Sequence, residues 1–105
     1  MKDFAPLRDV IATRDLEFMH ADGRIEQVVV SIGAPFESEK DIEWRCPYSI
    51  KAESFEQNFG IAGADSMQAL LLTVSIISTE LQALERRRNG KFTQYGEPNP
   101  GFPIF

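Results

Sequence analysis

The sequence holds one cysteine, Cys46, and one histidine, His20. A single thiol allows no internal disulfide and suits a reducing compartment. One cysteine and one histidine cannot build a zinc site without clustered carboxylates, and none are suitably clustered. Neither a metal nor a cofactor is expected. Basic residues are also in short supply: 11 Lys and Arg against 16 Asp and Glu leave a net charge of −5. Nucleic acid and anionic membranes both need a basic face to release counterions, so neither is expected as a partner. The basic cluster Arg86, Arg87 and Arg88 reads as the partner of a helix dipole rather than a phosphate site. The N-terminus lacks a basic start followed by an apolar run, so no signal peptide is expected and localisation reads as cytoplasmic. The longest apolar run is broken by Thr73, Ser75, Ser78 and Glu80, which reads against a membrane span.

What is present describes one domain over residues 1–105, with 43% hydrophobic and 26% charged residues, as in ordinary globular proteins. The chain is organised around a predicted helix, Asp65 to Arg88. Asp65 with Gln68 forms a capping box, with Asp in the Ser/Thr place. The three arginines meet the negative end, and Gly90 is placed to take the left-handed closing position. At 100° per residue, Met67, Leu70, Leu71, Val74, Ile77, Leu81 and Leu84 fall on one stripe, expected to face the core. Ala69, Leu72, Ile76 and Ala83 fall on a different arc. A helix on a monomer needs one apolar stripe, so this second arc is the candidate interface. A homodimer is the favoured cover, with the C-terminal residues Phe102, Ile104 and Phe105 as the competing one.

Four strands are predicted before the helix from period-two alternation. They are Val10 to His20, Ile25 to Ile32, Ile42 to Ile50 and Phe55 to Ile61. Asp22-Gly23 supplies the first hairpin turn. Gly33 to Asp41 reads as a solvated loop, and Pro47 as a bulge, edge or non-bonded position. Glu17, Glu26 and Glu43 are placed on solvent faces. Lys91 to Tyr95 reads as a short extended piece. The fold class is α+β: an antiparallel four-stranded sheet, read as a meander, with one long helix across one face.

Catalytic signals are weak. Asp65-Ser66-Met67 is similar to the serine site of acyl carrier proteins, but the alternation upstream is not that of an all-helical bundle, and capping explains both residues. Gly60 and Gly63 precede a helix without the lysine of a phosphate loop. Cys46 between Trp44 and Tyr48 reads as inert packing rather than a nucleophile served by His20.

Trp44-Arg45-Cys46-Pro47-Tyr48, then Gly63-Ala64-Asp65-Ser66-Met67-Gln68-Ala69-Leu70, then Gly101-Phe102-Pro103 together resemble a family of small bacterial domains of unknown function. The resemblance spans nearly the whole chain. It implies a compact bacterial α+β domain and transfers no catalytic residue. The function expected is a cytoplasmic protein-interaction domain, in one version immunity- or antitoxin-like. The alternative is a small-ligand protein or enzyme with a pocket lined by Trp44, Tyr48, Ser66 and Gln68.

Overall fold

The computed structural model describes residues 7, 9–40 and 42–98. Seven strands and one helix follow in the order β1 (Val10–His20), β2 (Ile25–Gly33), β3 (Phe36–Glu39), β4 (Glu43–Ala52), β5 (Glu56–Gly63), α1 (Ser66–Arg88), β6 (Gly90–Gln94) and β7 (Glu97–Pro98). All pairings are antiparallel. The four expected strands are present as the meander β1-β2-β4-β5. The sheet is wider than four strands, because β6 returns from the helix to pair with β1, and β7 extends it. The expected loop at Gly33 to Asp41 contains β3, which continues the line of β2 along β4. Among the described residues the seven strands therefore occupy six lateral positions, from β7 at one edge to β5 at the other.

The break between β2 and β3 lies opposite Pro47. Ile32 pairs with Tyr48 and Phe36 with Arg45, so one extra residue sits on the β2–β3 side. A proline has no N–H for a ladder, and here it faces the place where the ladder is interrupted. The β1–β2 turn is built as its residues dictate. The amide of Arg24 donates to Oδ1 of Asp22 at 2.9 Å, and Gly23 takes φ +95°.

One sheet face carries the core. Leu16, Phe18, Val28, Val30, Ile32, Cys46, Tyr48, Ile50 and Phe92 are buried there beneath α1. The expected N-cap is present: Asp65 accepts from the amide of Gln68 at 2.7 Å, and Oε1 of Gln68 accepts from the amide of Ala64. The C-cap differs from expectation. Asn89, not Gly90, takes the left-handed conformation, with φ 53°. Gly90 is held to glycine by space instead, since a β-carbon there would overlap the Phe18 ring.

The helix is also turned from its expected orientation. Its buried residues are Ala69, Thr73, Ile77, Leu81 and Leu84, with Leu70, Val74 and Ile76 partly buried. Met67 and Leu71, expected in the core, are exposed. Two short-range facts fix the phase. Gly63 lies so close to the first turn that a β-carbon on it would come 2.5 Å from the Ala69 amide nitrogen. Thr73 donates its hydroxyl to the Cys46 carbonyl at 3.1 Å, which satisfies a polar side chain in the apolar stripe.

By length and composition alone the helix is apolar enough to cross a membrane, so the polar interruptions do not exclude a span. Its seat on the sheet accounts for only part of that character. Of its most apolar 18-residue window, 28% is buried.

Candidate functional site

One side of α1 is tied to β5 by a short relay. Nε2 of Gln57 donates to Oε1 of Glu80 at 2.8 Å, and the Arg87 guanidinium donates to Oε1 of Gln57 at 2.8 Å. Leu72, Ile76 and Ala83 share that side, because they stand three, four or seven residues from Glu80, Arg87 or one another. Leu72 is 42% exposed, while Ile76 packs partly on the core and Ala83 is half-buried. Ala69, placed on the same arc from the sequence, is fully buried against the sheet. On the far side, Leu71 is 40% and Met67 67% exposed. The surplus apolar surface is therefore in two parts: Leu72, which extends down towards β5 through Ile76, and Met67 with Leu71 on the far side.

The four residues expected to line a pocket are separated by role. Tyr48 is in the core, and its hydroxyl is pushed up in pKa by burial and, less, by the charge of Glu80. Trp44 is half-buried against the core edge. Ser66 and Gln68 are exposed, and the Gln68 side chain closes the helix cap.

A polar cluster not expected from the sequence lies at the other end of the sheet. Glu26 points inward beside Phe18 instead of to solvent. Its carboxylate accepts from the Ser54 hydroxyl, from the Ser54 amide at 2.9 Å, and from Nε2 of His20 at 2.6 Å. The Ser54 hydroxyl, then its amide and the His20 ring, hold the carboxyl down at about 2, against burial working upward. Serine and histidine both donate to one acid, whereas a nucleophilic triad would place the histidine between the other two. The geometry is that of a satisfied knot joining β1, β2 and the β4–β5 turn. Phe18, Phe55 and Phe92 pack around it with ring centroids 4.7 to 6.5 Å apart, and Arg88 lies over the Phe55 ring. Beside His20, a cleft of about 620 Å³ opens between the last turn of α1 and β6, lined in part by Met19, Gln82, Arg86, Asn89 and Lys91.

Cys46 stands away from this knot, opposite the β2–β3 break, with Sγ donating to the Gly33 carbonyl at 3.5 Å. Burial raises its thiol pKa, which removes the thiolate a nucleophile requires. Among the described residues, no group of three or more His, Cys, Asp or Glu could hold a metal ion.

The architecture defines a two-layer α+β domain, an antiparallel sheet covered on one face by a single helix, with its surplus apolar surface on that helix. The chain belongs to the family described as Domain of unknown function (DUF6968), whose model matches residues 12–104. No curated protein and no solved structure matches the chain.

Proposed function

We propose that this domain is a protein-interaction module of the bacterial cytoplasm that works first by pairing with a second copy of itself. The observation that carries the reading is the exposure of Met67, Leu71 and Leu72 on a helix whose other side already serves the core. Fully burying an exposed leucine is worth about 1.5–3 kcal/mol, and covering the exposed part of Leu72 together with Ile76 gains a share of that. The lone buried thiol agrees with a reducing compartment. Twofold pairing is the commonest way for identical chains to cover one patch. An immunity- or antitoxin-like role is one form of this proposal, in which the same face meets a foreign protein. The test is light scattering on the parent and on Leu72→Glu. The parent is expected at twice the chain mass and the variant at the chain mass with an unchanged circular dichroism spectrum. A parent that stays monomeric overturns the reading.

A second reading has one observation behind it. The cleft beside His20 has the volume of a small-ligand site. It lies at the C-terminal end of α1, away from Ser66 and Gln68 at the helix start. A thermal-shift screen of small metabolites, repeated on Lys91→Ala, tests it: a stabilising compound that loses its effect in the variant supports a ligand there.

A further inference from the structure

The two edges of the sheet are not alike. The β7 edge is two residues long and contains Pro98, which cannot donate to an added strand. The β5 edge is eight residues long, Glu56–Gly63, and contains no proline, lysine or arginine. Among the described residues β5 pairs with β4 alone. Its own residues therefore supply none of the short length, proline and positive charge with which sheets commonly block edge pairing; guanidinium groups reach it only from Arg45 in β4 and Arg87 in α1, among the described residues.

The direction of its free backbone groups follows from Pro47. Pro47 faces Gly60 across the β4–β5 ladder. Since proline has no N–H to give, this is a non-bonded pair, and the amide and carbonyl of Gly60 point outward. By the two-residue period, those of Asn58 and Ala62 do the same. The Arg45 guanidinium donates to the Gly60 carbonyl at 3.3 Å, which leaves that oxygen a second lone pair.

Above this edge stands the apolar side of α1. Gly63 touches the helix at Ala69, and Gln57 touches it at Glu80 and Arg87. Strand and helix each cover about 20 Å between these ties, at their ordinary rises per residue. The middle of β5 thus lies beneath Ile76, with Leu72 on one side and Ala83 on the other. A twofold axis normal to the sheet and just outside the middle of β5 would set two helices antiparallel. Each Arg86–Arg88 end would then lie beside the Asp65 end of the other copy, joining opposite charges and opposed dipoles.

We propose that the seam of the dimer is the β5 edge: two copies pair β5 with β5 antiparallel, continue one sheet across the axis, and close Leu72 and Ile76 over it. This rests on the self-pairing reading above and adds the surface and the symmetry. Amide hydrogen exchange followed by NMR separates the two claims when run beside light scattering. The seam predicts a doubled mass, with the Asn58, Gly60 and Ala62 amides exchanging at least about 100-fold more slowly in the dimer than in monomeric Leu72→Glu. Asn58→Pro should abolish the doubled mass while leaving the circular dichroism spectrum intact. Should proline disturb the fold, the exchange result on the parent still decides. A doubled mass with rapid exchange at all three amides keeps the dimer and overturns the seam. A monomeric parent overturns both.

Discussion

His20 donates a 2.6 Å hydrogen bond to Glu26 where the two side chains are 10% and 5% exposed. An ionised carboxylate so enclosed persists only because three donors converge on it. It joins the end of β1, the start of β2 and the β4–β5 turn.

The acid limb of stability should depend on Glu26. Its folded pKa is about 2 against an ordinary 4.5, so the shift is downward. A lowered carboxyl stabilises fully above its unfolded pKa and loses that stabilisation as pH falls through its folded value. Urea unfolding should show parent stability declining between about pH 4.5 and 2. Glu26→Gln should cost about 1–3 kcal/mol at neutral pH and flatten that decline. An unchanged acid limb in the variant would show that the cluster does not set it.

Gly90→Ala should destabilise through overlap rather than backbone conformation. Its β-carbon would meet the Phe18 ring and come 2.7 Å from the Met19 carbonyl. Overpacking of this kind costs about 1–3 kcal/mol. Phe18→Leu in the same chain should recover part of the loss, measured as thermal midpoints of the single and double variants. Additive losses would contradict the contact.

Two polar contacts set the helix. Thr73→Val should cost about 1 kcal/mol, because the Cys46 carbonyl loses the hydroxyl that bonds it in addition to the β4–β5 ladder. Asp65→Ala should cost about 0.5–2 kcal/mol through the lost cap. Denaturant titration checks both. A Thr73→Val protein as stable as the parent would show that the hydroxyl contributes nothing.

The meander was legible because one face of each strand alternates cleanly, as in Val28, Val30 and Ile32. Glu26 continues that phase, so the signal for its burial was present but outweighed by its charge. What redeems the charge is Ser54, 28 positions away and invisible to local pattern. The strand β6 was only half legible: Lys91 to Tyr95 read as extended, but its pairing with β1 is a long-range choice. The helix phase was ambiguous because α1 is apolar on most sides. Its orientation depends on the Gly63–Ala69 approach and the Thr73–Cys46 bond, which no periodicity reports. Of the candidate interface, Leu72, Ile76 and Ala83 lie together on the β5 side, while Ala69 belongs to the core. Residues 1–6 and 8 lie outside the described residues. So do Phe102, Ile104 and Phe105, so the tail's competing role falls there too.

The central claim is that the uncovered side of α1 and the edge beneath it are covered by a second copy. Sedimentation equilibrium of the parent protein, from low to high micromolar concentration, tests it most directly. The account predicts a mass rising to twice the 11.9 kDa of the chain. A mass that remains at one chain up to high micromolar concentration would contradict it.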